Sequence, residues 1–86
     1  MNCDLTQIEE EISKLKRKNP ALFFALTKKI NQIISLNYEE LQHFKNLRSP
    51  LNDYKRVHVG SFVLIFKVSK DKIIFAEFKH HDKAYK

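Results

Sequence analysis

The spacing of hydrophobic residues changes once along the chain, from a helical to a strand period. In the first half, two apolar stripes recur every three or four residues, which predicts helices over about residues 6–18 and 20–36. The first stripe consists of Ile8, Ile12 and Leu15, and the second of Phe23, Leu26, Ile30 and Ile33. The basic segment 14–18 between them predicts a turn, so we expect an antiparallel helical hairpin.

Residues that favour helix ends agree with these bounds. Thr6 and Glu9 have the spacing of a capping box, which predicts the start of the first helix. Asn19 followed by Pro20 predicts a break and a restart, because asparagine caps helices and proline suits the first helical position. Asn37 is a suitable residue to end the second helix.

The second half predicts strands over residues 55–59, 61–68 and 72–78, which are rich in Val, Ile and Phe. The segment 61–68 is almost wholly apolar, as expected of a central strand covered on both faces. Residues 69–71 predict a hairpin turn. The segment 38–53 between the halves is irregular, with a boundary signal at Ser49-Pro50, and residues 1–5 allow a short edge strand.

Together these elements predict a single α+β domain over residues 1–86. We expect an N-terminal helical hairpin packed on a small antiparallel sheet of three to four strands. The helices should cover one face of the sheet. The opposite face is then the candidate working surface, with an exposed apolar strip that includes Val63 and Ile65.

The charge is unevenly distributed and favours a polyanionic partner. The chain has a net charge of +6, yet residues 1–13 carry −4 and the remainder carries +10. Nucleic acid is the simplest partner for such a basic segment. A single cysteine excludes a disulfide framework, and a single glycine excludes a glycine-rich phosphate loop. No histidine spacing suits a metal, and the absence of a signal peptide or long apolar run predicts a cytoplasmic protein with no membrane partner.

The candidate chemistry lies on the open face. Alternation along the strand 55–59 places Arg56 and His58 on that face, about 7 Å apart, and places its valines toward the core. The last strand leads into His80, His81 and Asp82, and then Tyr85, beside the same sheet.

This combination suits RNA cleavage without a metal or other cofactor. The 2′-hydroxyl can attack its own phosphate if a base accepts its proton, an acid protonates the leaving oxygen and cations hold the phosphate. Histidine titrates near neutral pH, and arginine is a natural phosphate ligand. Each residue also has an ordinary interpretation: His58 as a half-exposed strand residue, His80-His81 as a solvated terminus, and Tyr85 as a frayed end.

The segment 43–68 resembles the sheet of RelE/ParE-superfamily toxins, which typically reads "yRvRvGdyRviYev". The ending His81-Asp82-Lys83-Ala84-Tyr85 is similar to their closing "HRxxvY". The order of helix, helix and three strands also agrees with that fold. Val63 stands where many RelE members carry arginine, whereas the YafQ branch has an apolar residue there and uses histidines. The chain is therefore identified as a member of this superfamily, most similar to the RelE/YafQ-type mRNA interferases.

The resemblance implies the toxin of a type II toxin–antitoxin system, a metal-independent endoribonuclease that cuts mRNA on the ribosome. Its implied partner is a RelB-like antitoxin. The expected catalytic residues are Arg56, His58, His81 and Tyr85, with His43, His80 and Asp82 as secondary candidates. The expected RNA-binding residues are Lys45, Arg48, Lys55, Lys79 and Lys83. Two alternatives stay open: a ParE-like inhibitor of DNA gyrase without nuclease activity, and an inactive basic nucleic-acid-binding module.

Overall fold

The computed structural model describes residues 2–84, which form an α+β structure. The elements in chain order are β1 (Asn2–Asp4), a 3-10 turn (Thr6–Ile8), α1 (Glu9–Lys18), α2 (Pro20–Ile34), α3 (Tyr38–Leu41), β2 (Lys45–Asn46), β3 (Lys55–Val59), β4 (Phe62–Ser69), β5 (Lys72–His80) and α4 (His81–Ala84). The three long predicted strands are present, and the region between the halves contains α3 and β2 as well as loop.

Within residues 2–84, the strands form one five-stranded mixed sheet in the order β1-β5-β4-β3-β2. Strand β1 lies parallel to β5, whereas the pairings of β2 with β3, β3 with β4 and β4 with β5 are antiparallel. The expected antiparallel sheet of three to four strands is therefore corrected. Strand β1 lies at one edge beside β5, and the long stretch of chain between them, residues 5–71, permits a parallel pairing.

The break between the two helices agrees with the prediction. The Asn19 side chain accepts a hydrogen bond from the Leu22 N–H at 3.2 Å, and Pro20 occupies the first turn of α2. Helices α1 and α2 contact each other, but they follow β1 and do not open the chain. Their antiparallel hairpin arrangement stays a prediction.

Two predicted helix ends are wrong. The Thr6 N–H donates to Asp4 Oδ1 at 2.9 Å, and the residues after it form a 3-10 turn in place of a capping box. The capping box forms at Asn37 instead, which exchanges hydrogen bonds with Glu40 and begins α3. Asparagine and glutamate three residues apart satisfy two unpaired N–H groups at a helix start, so Asn37 opens a helix rather than ending one.

The main core lies between the helices and one face of the sheet. Its buried residues are Ile8, Leu26, Ile30, Ile33, Leu41, Val59, Leu64, Phe66, Ile73, Phe75 and Phe78. A β-bulge shapes the β5 contribution, because Ile65 pairs with Glu77 while Phe66 pairs with Phe75. The extra residue, Ala76, lets Phe75 and Phe78 both face the helices despite their odd spacing.

The second face of β4 is also covered. Val63 is 0% exposed and Ile65 is 4% exposed, although neither belongs to the helix-side core. Leu47, Leu51 and Tyr54 line a cavity together with Ile65, and α4 contacts β4. The expected exposed apolar strip at Val63 and Ile65 is therefore wrong, whereas the expectation of a central strand buried on both faces is confirmed.

No helix within residues 2–84 combines the length and apolar character needed to cross a membrane.

Because the second face of β4 is covered, we expect truncation of the Ile65 side chain to destabilise the fold substantially. We expect Ile65→Ala to lower the free energy of unfolding by about 2–5 kcal/mol, because the buried side chain leaves a cavity. Phe24→Ala is the control, since Phe24 is 72% exposed and its loss should change stability by no more than about 0.5 kcal/mol. Urea unfolding followed by circular dichroism measures both. Equal effects of the two substitutions would contradict the covered face.

The contact between Thr6 and the Asp4 carboxylate, at the end of β1, predicts that part of the stability of the fold depends on pH. Hydrogen bonds from Thr6 to the Asp4 carboxylate lower the pKa of Asp4 from 3.8, and Lys72 acts in the same direction. A lowered pKa in the folded state stabilises the fold at neutral pH, and this contribution is lost as the pH falls through that value. We expect Asp4→Asn to lower the urea midpoint at about pH 7 and to have little effect at about pH 2. A pH-independent difference would contradict this assignment.

Candidate active site

The imidazoles of His58 and His81 stack on one another. Their ring centroids lie 5.5 Å apart and their planes are inclined by 29°. Both side chains are exposed, so the pair is accessible from solvent. The structure thus brings together the two histidines that the resemblance implied as acid and base.

Backbone pairing explains why the two rings meet. Val59 pairs with Phe62 across the tight turn at Gly60, which has a φ of +60°, a value that favours glycine. On the other side of β4, Phe62 pairs with His80, and the His81 N–H donates to Ser61 O at 2.9 Å. The end of β3 and the start of α4 therefore lie on either side of the same hairpin tip.

Asp82 lies between two imidazoles. Its Oδ1 is 3.8 Å from His81 Nδ1, and its Oδ2 is 3.7 Å from His80 Nδ1. The Asp82 N–H also donates to His80 Nδ1 at 3.3 Å. The Asp82 residue therefore contacts His80 through both its backbone and its carboxylate, while its other carboxylate oxygen faces His81.

His80 itself faces away from the pair. It contacts the ring of Phe62 edge-on, with centroids 5.4 Å apart, on the side where Phe62 stacks on buried Phe78. Only His81 of this pair therefore stacks on His58, and it does so from the first position of α4, where β5 has ended.

A pair of cations stands beside the histidines. Lys45 is the register partner of Arg56, so both side chains lie on the open face, two residues along β3 from His58. Cross-strand neighbours have Cβ atoms only about 5 Å apart, and like charges in this position destabilise a sheet. An anion bound between Lys45 and Arg56 would relieve this repulsion.

The floor of the site is apolar. Val63 pairs with His58 on one side and with Lys79 on the other, and it is fully buried. Lys79 Nζ lies 3.1 Å from Glu77 Oε2, so its charge is balanced locally. Lys79 is on the open face, and Glu77 reduces the charge that it offers to an incoming phosphate.

Lys55 lies on the face opposite Arg56, as alternation along β3 implies. Its register partner is core residue Phe66, so its side chain lies on the helix-facing side. The residue is 6% exposed, and its Nζ donates to Asn46 Oδ1 at 2.9 Å. This burial was not expected, because lysine is ordinarily a surface residue. Its role in RNA binding stays a prediction.

The remaining candidates are scattered. Arg48 and Lys83 are exposed, in the loop after β2 and in α4 respectively. His43 lies in the turn after α3, and the described residues show no ring stacking or ion pair that joins it to His58 or His81. Tyr85 lies outside the described residues. No group of three or more potential metal ligands occurs within residues 2–84.

One functional-type contact was not expected from sequence. Lys67 Nζ lies 5.3 Å from the centroid of the Tyr54 ring, a cation–π contact. Tyr54 lies in the segment 43–68 that resembles the toxin sheet, and no periodic pattern in the sequence connects it with Lys67.

Comparison with known proteins identifies the family. The chain is 39% identical over 85 residues to "Putative toxin RelE4" of Methanocaldococcus jannaschii, covering 95% of this chain and 86% of that protein. It is also 30% identical over 83 residues to an "Uncharacterized protein" of Methanosarcina mazei, covering 93% of this chain and 92% of that protein. No family model and no solved structure matches the chain. The similarity to the toxin extends over nearly the whole of both proteins, and the chain belongs to the RelE toxin family.

Proposed function

We propose that this protein is the toxin of a toxin–antitoxin pair and acts as a metal-independent endoribonuclease on mRNA. The observation that carries the proposal is the stacking of His58 on His81 beside the Arg56–Lys45 pair. Two proton-transfer groups and two cations around one exposed surface are the set that cleavage by the RNA 2′-hydroxyl requires.

The reaction needs two proton transfers. One imidazole accepts the proton of the 2′-hydroxyl as its oxygen bonds to phosphorus, and the other donates a proton to the 5′-oxygen as its bond to phosphorus breaks. The cyclic phosphate and the new 5′-hydroxyl are the products. The Asp82 carboxylate, 3.8 Å from His81 Nδ1, favours a proton on that nitrogen, so that Nε2 exchanges a proton with the RNA. His58 performs the other transfer.

The cations stabilise the charge that develops on the phosphate. Arg56 offers a planar set of N–H donors that matches two phosphate oxygens, and Lys45 adds a point charge opposite it. The apolar floor at Val63 keeps water from one side of the site, which strengthens these interactions.

The partners follow from charge and family. The +6 net charge suits mRNA, which we propose is cut on the ribosome in the cytoplasm. An acidic RelB-like antitoxin would bind the same basic surface and stabilise the fold by mass action. The supporting observation is the position of Lys45 opposite Arg56 on the open face rather than an apolar strip, since Val63 and Ile65 are buried.

Replacement of His81 tests the chemistry. We expect His81→Ala to lower mRNA cleavage by about 100-fold or more in a translation extract, because a proton-transfer group typically contributes that much. His43→Ala is the matched control: it removes an exposed histidine from a remote turn and should leave cleavage unchanged. RNA with 2′-deoxynucleotides should resist the wild-type protein.

Two outcomes would contradict the nuclease. His81→Ala protein that cuts at the wild-type rate would remove His81 from the mechanism. Wild-type protein that arrests growth and induces DNA damage signalling without cutting mRNA would indicate a ParE-like action on gyrase instead.

The pair of cations formed by Arg56 and Lys45 gives a second prediction. We expect Arg56→Gln to lower the rate of cleavage by about 100- to 1,000-fold, with a smaller effect on RNA affinity, because its role is to stabilise the transition state. Lys79→Gln is the control on the same face, and its effect should be within a few-fold because Glu77 already balances its charge. Single-turnover cleavage rates at saturating RNA report the effect on the transition state separately from the effect on RNA affinity. An equal loss in both variants would show that Arg56 contributes only general positive charge.

A further inference from the structure

A polar cavity of about 340 Å³ lies at the outer edge of β4, and we name it the β4-edge notch. It forms because β3 begins at Lys55 opposite Phe66, while β4 continues to Ser69 paired only with β5 in the register. The residues that matter to its chemistry are Gln42, Asn46, Asn52, Asp53, Lys55 and Lys67. None of these belongs to the His58–His81 pair.

The notch holds a buried cation without an acidic partner. Lys55 is 6% exposed and donates one hydrogen bond, to Asn46 Oδ1 at 2.9 Å. Within residues 2–84, no carboxylate oxygen forms an ion pair with Lys55 or Lys67; Lys67 instead lies over the Tyr54 ring. A buried ammonium costs free energy unless a counter-charge or several hydrogen bonds compensate it, so the notch favours an anion.

The polar lining suits a phosphate group in particular. Two ammonium groups supply charge, and the side-chain amides of Asn46, Asn52 and Gln42 add N–H donors at the wall. Asp53 is the one carboxylate among the lining residues described, and it leaves the notch with a net positive charge.

The notch is also contiguous with the candidate active site. Lys55 and Asn46 are register partners, and each is the chain neighbour of the next pair, Arg56 and Lys45. Lys67 pairs with Ile74 and alternates with core residue Phe66, so it extends from the open face into the lining of the notch. Lys55 enters the notch from the helix-facing side. Because Lys67 shares the open face with Arg56, a strand held at His58 and Arg56 reaches the Lys67 side of the notch about 7 Å, or two residues, beyond Arg56.

We infer that the β4-edge notch binds a phosphate of the RNA strand next to the one held at His58 and His81. The assignment to RNA rests on the proposed nuclease function, whereas phosphate binding in the notch rests on Lys55 and Lys67 alone. The notch then sets how the RNA lies across the site, since it holds the strand on one side of the reacting phosphate.

Binding without cleavage tests this inference. The probe is a uniformly 2′-O-methylated RNA oligomer, which has no free 2′-hydroxyl, measured by fluorescence anisotropy over a range of salt concentrations. We expect Lys55→Met to weaken binding about tenfold and to reduce the salt slope by about 0.7, the value for one phosphate contact on a single strand. Lys67→Gln should act in the same direction, and it provides a second variant should Lys55→Met fold poorly. Lys28→Met is the control, an exposed lysine of α2, and should stay within twofold.

Inorganic phosphate, used as a second probe, distinguishes a site for free phosphate from a site for a phosphate of the RNA strand. In nuclear magnetic resonance spectra it should shift the side-chain amide signals of Asn46 and Asn52 in the wild type and not in Lys55→Met. Phosphate shifts with no effect of Lys55→Met on RNA binding would support the phosphate site and overturn its assignment to RNA. Equal losses in Lys55→Met and Lys28→Met, with no phosphate shifts, would overturn the site itself. Lys55-dependent RNA binding by a wild type that cuts no RNA would instead contradict the nuclease and leave the notch assignment intact.

Discussion

The geometry of the molecule depends on burying β4 on both faces. Leu64 and Phe66 face the helices, while Val63 and Ile65 are covered on the opposite side. Because side chains alternate, slipping β4 by one residue would exchange the two sets, and each is shaped for a different layer. The register of β3 and β5 against β4 is therefore strongly specified. That register sets His58 opposite Val63 and brings the end of β5 to the tip of the β3–β4 hairpin.

Lys55 is the charged residue least suited to its place in this packed fold, because it is buried with a single amide partner, Asn46. A buried ammonium with one hydrogen bond costs free energy, and a small domain has a margin of stability of only a few kcal/mol. Lys45 lies directly opposite Arg56 in the register, which concentrates positive charge on the open face. Local choices that oppose the stability of a fold are expected where a ligand compensates them.

Simple periodicity located much of this structure. Alternation in a short strand was enough to place Arg56 and His58 on the open face, and an unbroken apolar run was enough to identify a central strand. The β-bulge at Ala76 left one trace in the sequence, the odd spacing of Phe75 and Phe78, and periodicity alone does not distinguish a bulge from a residue on the other face. Alternation also places Lys55 with Val57 and Val59, but its burial opposite Phe66 depends on tertiary packing that the sequence does not show. The Thr6–Glu9 and Asn37–Glu40 pairs have the same spacing, and only tertiary structure decides which of them caps a helix.

The change from strand to helix at His81 completes the candidate site. Had β5 continued, Asp82 would point to the face opposite His81 and could not approach its ring. The turn of α4 instead sets the Asp82 carboxylate near both neighbouring imidazoles, while the His81 N–H still donates to Ser61 O at the sheet edge. The backbone thus holds His81 against His58 as a strand residue would, and the side chain gains the carboxylate contact that a helix permits. The short helix His81–Ala84 therefore places a carboxylate 3.8 Å from one of the two stacked imidazoles.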